Sequence, residues 1–142
     1  MKAILTLACL AVSLVTGFSA AGVIPEKMRA CPPWVVTVVG ADGRPVPGAN
    51  IVQEWGCDFN GTVVMATTNV VADGTGQVKL EARYLEIPPA AQFTRRTPWT
   101  TLTIAKSAYQ TTRLSVLRNP DVIWTRDGLR ATVVLPRWKP GS

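Results

Sequence analysis

The chain has 142 residues and no histidine, so the usual general base and metal ligand near neutral pH is missing from the start. After Gly22 the serines are Ser107, Ser115 and Ser142. None lies in a Gly-x-Ser-x-Gly turn, and neither Lys79 nor Lys106 stands at a catalytic spacing from a serine. The nine acidic residues are scattered, whereas glycoside hydrolysis requires a facing pair. Asp42, Asp73 and Asp127 each precede a glycine, a position where aspartate serves turns. A calcium loop would need several more oxygen ligands, and Asp73-Gly74-Thr75-Gly76 supplies a single carboxylate. The residues therefore predict no catalytic site, no metal site and no cofactor.

Two other groups carry chemistry of a different kind. Cys31 and Cys57 are the cysteines outside the N-terminal apolar stretch, and an even pair in an exported chain predicts a disulfide. In the chain-entropy account it would stabilise by roughly 3.5 kcal/mol. They are not in a Cys-x-x-Cys arrangement, which argues against a metal or redox pair. Arg95 and Arg96, followed by Trp99, form the second group, a possible contact for a ligand or partner. Residues 77–142 carry eleven basic and four acidic side chains, against three and five in residues 22–76. A basic face in the second half would attract anionic glycan, lipid headgroups or an acidic protein. Of the five tryptophans, Trp34 and Trp55 read as core. Trp99, Trp124 and Trp138 border loops, where an indole could stack on a sugar ring.

Export is read from the N-terminus. Lys2 precedes an uncharged, mostly apolar stretch from Ala3 to Phe18, which runs into Ser19-Ala20-Ala21-Gly22. This is the layout of a signal peptide cut after Ala21, and it is shorter than the ~20 residues of a spanning helix. Cys9 lies inside the apolar stretch rather than after it, which argues against lipidation. No later run is long and apolar enough to span a bilayer. The expected organisation is a signal peptide at 1–21, a lead-in at 22–33, one domain at 34–136 and a tail at 137–142.

The elements that must position these side chains are strands. Asp42-Gly43, Asn60-Gly61, Asp73-Gly74 and Asp127-Gly128 punctuate the chain as tight turns. Between them lie seven predicted strands: Trp34 to Val39, Ala49 to Trp55, Thr62 to Val71, Gln77 to Arg83, Thr100 to Ala105, Gln110 to Leu117 and Leu129 to Leu135. In the fourth, Val78, Leu80 and Ala82 alternate with Gln77, Lys79, Glu81 and Arg83, giving one buried and one wet face. The expected fold is an all-β, seven-stranded antiparallel sandwich. Glu86 to Trp99, with its prolines, reads as a loop or crossover.

The segment from Val35 to Ala49, with Gly40-Ala41-Asp42-Gly43-Arg44-Pro45-Val46-Pro47-Gly48, resembles the start of carboxypeptidase regulatory-like domains, which are transthyretin-like, Ig-like sandwiches. The likeness continues through Asp73-Gly74-Thr75-Gly76-Gln77, through Leu102-Thr103-Ile104 and Ala108-Tyr109-Gln110, where alanine stands for the family's glycine, and through Ala131 to Leu135. It implies a structural, folding or binding module. Related sandwiches that act as hydroxyisourate hydrolases or non-haem iron dioxygenases use histidines, which this chain lacks. Self-crosslinking adhesin domains need a lysine on an early strand, and the first two predicted strands have none.

The expectation is an exported, non-enzymatic module of the periplasm or extracellular space. Its partner would be another envelope or extracellular protein, or a glycan, and no nucleic acid. The alternative is a surface protein binding anionic glycan or lipid through its basic half. A hydrolase with an unrecognised site stands third.

Overall fold

Phe59 and Thr62 face each other across Asn60-Gly61, whose φ angles of 54° and 99° are both positive. This is a two-residue hairpin turn of the mirror-image kind, whose twist matches that of the strands it joins. It fixes the register of two ten-residue strands, β3 (Asn50–Phe59) and β4 (Thr62–Val71).

The computed structural model describes residues 25–115 and 122–139. The other strands are β1 (Lys27–Cys31), β2 (Trp34–Gly40), β5 (Gln77–Leu80), β6 (Arg83–Glu86), β7 (Arg96–Ala105), β8 (Thr112–Ser115), β9 (Val122–Thr125) and β10 (Gly128–Leu135). A single 3-10 turn, Pro89–Ala91, is the helical content of the described residues. One four-stranded sheet has the order β4-β3-β7-β8, the other β5-β2-β10-β9, and β1 pairs with β6 in a small third sheet.

The molecule is an all-β sandwich of open sheets, with ten strands where the alternation predicts seven. Between the four-stranded sheets, Val36, Val38, Leu129, Val133 and Leu135 meet Ile51, Leu102, Ile104 and Leu114 in the main core. The long strands β3, β4 and β7 outreach the facing sheet. The excess carries Trp55, Cys57 and Phe59 into a second cluster closed by Leu85, Ile87 and Ala91. The small β1–β6 sheet and the 3-10 turn cover this overhang, which is why part of the expected lead-in is a strand.

Several expectations are corrected. The sandwich is not wholly antiparallel, because β2 and β10 run parallel through seven residue pairs, from Trp34↔Leu129 to Gly40↔Leu135. The predicted strand Gln77 to Arg83 breaks at Glu81-Ala82, and Arg83 starts a strand in another sheet. Arg83 is not on a wet face: its Nε donates to Gln53 Oε1 at 2.9 Å. The predicted loop Glu86 to Trp99 is ordered at both ends by β6 and β7. The expected signal peptide, Cys9, Arg118 and the end of the strand predicted to Leu117 lie outside the described residues.

The expected disulfide is also corrected: Cys31 and Cys57 are separate, buried thiols. Cys31 Sγ accepts from Trp34 Nε1 at 2.8 Å and lies 3.7 Å from Gln53 Nε2. Cys57 stands four residues beyond Gln53 on the same face of β3, roughly 13 Å further along at the ordinary strand rise. Trp55 lies between them, and the two thiols belong to different apolar clusters. Burial pushes both up from the usual thiol range.

The Asp73 carboxylate accepts from Thr75 N at 2.8 Å, Thr75 Oγ1 at 2.6 Å and Gln77 N at 3.0 Å. These bonds, the Thr75 hydroxyl foremost, lower its affinity for a proton and close the turn into β5. Asp42 likewise accepts from Arg44 N at 3.1 Å.

Two predictions follow from these sites. Thiol reagents should label neither Cys31 nor Cys57 in the native protein at neutral pH and both after denaturation, with the same intact mass before and after reduction. A mass gain on reduction would contradict the free thiols. Replacing Asp73 by alanine should lower the melting temperature at neutral pH. Because the folded carboxyl holds its proton less tightly than the unfolded one, the difference should shrink as pH falls through and below the ordinary aspartate range. A pH-independent difference would rule out the carboxylate as its source.

Candidate functional site

In a two-residue hairpin the closing pair, here Phe59 and Thr62, exchanges both backbone hydrogen bonds, and bonded pairs then recur at every second residue. Val64, Ala66, Thr68 and Val70 therefore direct their N–H and C=O groups to β3. The same parity continues past the strand, where Ala72 N donates to Ala49 O at 2.9 Å. Val63, Met65, Thr67, Asn69 and Val71 direct theirs away from β3. Since β4 is the first strand of its sheet, this row is an open edge.

Sheet edges are usually short, charged or broken by proline or a bulge, which discourages pairing with other chains. The three other edges of the four-stranded sheets follow this pattern. Both β5, with Lys79, and β8, with Arg113, have four residues; β9 also has four. In contrast, β4 has ten residues, Thr-Val-Val-Met-Ala-Thr-Thr-Asn-Val-Val, with no charge and no proline. Its register with β3 runs unbroken over all ten. Val63, Met65 and Val71 are each more than half exposed on its outer face.

Next to this edge, Trp99 is the cross-strand partner of Gly56, which in turn pairs with Met65. Its indole lies flat on β3: a Cβ at Gly56 would be 2.5 Å from Trp99 Cζ2 and 2.8 Å from Val64 O. Trp99 is thus a half-buried strand residue rather than a loop residue. Arg96 pairs with the inward-facing Phe59, and three residues along a strand reverse the face. Its guanidinium turns to Glu26, at 3.4 Å, and to Gln92 O, at 3.0 Å. Arg95 is exposed just before the strand. The expected trio of Arg95, Arg96 and Trp99 is not brought together on one surface.

The other basic residues are dispersed as well. Arg130 lies on the outer face of one sheet, in a shallow groove with Val35, Thr37, Ile123 and Val134. Arg113 lies on the outer face of the opposite sheet, 3.8 Å from Glu54. Arg137 sits over the Tyr109 ring at 5.9 Å, and Arg83 over the Trp55 ring at 5.0 Å. Trp124 and Trp138 are about two-thirds exposed, beside opposite ends of β10. Trp34 and Trp55 are buried, as the sequence predicts.

The polar seam inside the sandwich joins Trp34, Cys31, Gln53 and Arg83 in one chain of hydrogen bonds between the two apolar clusters. Gln53 is fully buried, and its amide serves both neighbours. The seam fixes β1 and β6 against β3, a structural role.

No family model and no curated protein sequence matches the chain. Among solved structures it is similar to 3-chlorocatechol 1,2-dioxygenase from Rhodococcus opacus 1CP, with TM-score 0.47 and 15% identity over 80% of this chain and 62% of that one. It is also similar to chlorocatechol 1,2-dioxygenase from Pseudomonas putida, with TM-score 0.45 and 14% identity over 78% and 62%. A third is the dioxygenase domain of a dioxygenase carbohydrate-binding protein fusion from Streptomyces sp. SirexAA-E, with TM-score 0.43 and 16% identity over 75% and 79%. The match spans less than two-thirds of the first two enzymes. The likeness is one of sandwich layout, and no residue role follows from it.

The seam generates a stability prediction. Gln53→Leu, similar in volume, removes the acceptor of Arg83 Nε while leaving the guanidinium half-buried. It should cost about 1–3 kcal/mol, the usual penalty for an orphaned buried donor, read as a lower urea midpoint at unchanged slope. An unchanged midpoint would exclude the seam as a stabilising element.

Proposed function

We propose that this chain is an exported, non-enzymatic module of the cell envelope or extracellular space that binds a protein partner by accepting an extended strand along β4. The observation that carries the reading is the ten-residue, charge-free edge. In strand addition the main chain supplies the affinity and alternate side chains the selectivity. Val63, Met65 and Val71 stand ready on one face for the second task. Export is supported by Lys2, the apolar stretch to Phe18 and the small residues at Ser19 to Gly22. The absence of histidine and of a nucleophile motif in the sequence supports the non-enzymatic part. The resemblance to carboxypeptidase regulatory-like domains, which serve as structural or binding modules, agrees with the reading. No observation favours the polyanion alternative, since Arg113 and Arg130 occupy opposite outer faces.

The test is a crosslinking pull-down of the tagged exported protein from its own cell envelope, at low and high salt, beside a Thr67→Pro variant. Thr67 N–H points off the edge, so proline there breaks no bond to β3 yet blocks an added strand. A protein recovered at both salts by the wild type and lost with Thr67→Pro is expected. Recovery that the variant leaves untouched, or recovery of glycan or lipid at low salt alone, would sink the proposal.

A further inference from the structure

We infer that the strand accepted by β4 is β4 of a second copy, paired antiparallel about a two-fold axis at Thr67; this rests on the reading of β4 as an open edge. A two-fold axis perpendicular to the sheet keeps outer side chains on the outer face, so facing residues must have the same parity. The outward-directed backbone groups belong to residues 63, 65, 67, 69 and 71, and they must face one another to bond. Centring the pair on Thr67 satisfies both conditions. Val63 then faces the second copy's Val71, Met65 faces Asn69, and Thr67 faces itself. On the inner side Val64 faces Val70 and Ala66 faces Thr68.

All five outward residues find bonded partners in this register, giving about ten inter-chain hydrogen bonds at two per bonded pair. Centring on Ala66 instead would leave Val71 opposite Gly61, beyond the strand, and set Val63 against Asn69. The Thr67 register is therefore the one that uses the exposed valines at both ends. No charge lies in β4, so two copies of a chain with net charge +6 meet where neither brings a like charge directly opposite. The product is a continuous eight-stranded sheet, within the ordinary range for twisted sheets, and an isologous dimer that closes on itself. The same edge on both partners is consumed, so assembly stops at two.

Sedimentation equilibrium of the exported protein should show a monomer–dimer equilibrium that Thr67→Lys weakens by about tenfold or more, because it sets two ammonium groups across the axis. Circular dichroism should be unchanged in that variant, since Thr67 is exposed. The register is tested by oxidation. Thr67→Cys should crosslink to itself, its Cα atoms being about 5.5 Å apart in a bonded pair and so within disulfide reach. Val63→Cys should not crosslink to itself, as its two copies lie roughly 27 Å apart along the strand, but should do so when mixed with Val71→Cys. Cys31 and Cys57 are buried and give no background. A monomer throughout the micromolar range, a dimer indifferent to Thr67→Lys, or crosslinks through Val63→Cys alone would overturn the inference. If the chain is monomeric but its pull-down partner still depends on Thr67, the second copy falls and the open edge stands. If that dependence is absent too, both fall.

Discussion

Strands β2 and β10 lie side by side and parallel although they stand almost at opposite ends of the described chain, and the second sheet depends on that pairing. Without it, β5 would be attached to β2 and β9 to β10 as two separate antiparallel pairs, neither able to bury its inner face alone. The approach is tight at its start. Leu129 N donates to Pro33 O at 2.8 Å, and a Cβ on Gly128 would lie 2.3 Å from that oxygen. Gly128 has φ of 138°, so a side chain there would be both strained and blocked. A parallel neighbour also requires the intervening chain to cross over. Here that crossover contains the whole opposite sheet, so the pairing that closes the core is its least local one.

Once the two sheets face each other, their unequal lengths determine the rest. With ten residues, β3 outruns the seven of β2 and the eight of β10. Trp55, Cys57 and Phe59 would lie bare if nothing covered the excess. The chain supplies β1 before β2 and β6 after β5, which pair with each other, and the Gln53 amide links them to β3 through Cys31 and Arg83. The polar seam therefore sits where the facing sheets change, the place where backbone direction and side-chain alternation are both interrupted.

This arrangement explains which elements were legible in the sequence. The bounds of β4 are those read from its β-branched run and the Asn60-Gly61 turn, and β2, β3, β7 and β10 were found from alternation against turn dipeptides. Alternation failed at Arg83, where the chain changes sheets after Leu80 and an arginine that continues the wet face by parity turns inward to Gln53. β1 was hidden because it has five residues, none of them β-branched or aromatic. β9 was hidden because it is four residues long and lies at an edge. Counting cysteines says nothing of the distance between Cys31, at the end of β1, and Cys57, near the end of β3. The Arg95, Arg96 and Trp99 trio looked like one patch, yet residues 96 and 99 differ by an odd number and so lie on opposite faces. For the open edge, the composition of β4 was visible, but its place at the border of a sheet is a property of topology.

The same topology spreads a charge that is lopsided along the chain over several strands. Residues 77–142 hold most of the cations, but they are carried by strands of both four-stranded sheets and of the small one. Arg130 faces one way, Arg113 the other, and Arg83 faces the interior. Repulsion among them is relieved by distance and by partners such as Glu54 and Glu26. Strands carrying those charges resist pairing with another chain wherever they reach a border, as Lys79 does in β5 and Arg113 in β8. The long border left without a charge is β4, formed from the half of the sequence that has few cations. The lack of protection there follows from composition and topology together: a neutral ten-residue strand is harmless in the middle of a sheet, and becomes an open edge because β3 pairs with β7 on its other side.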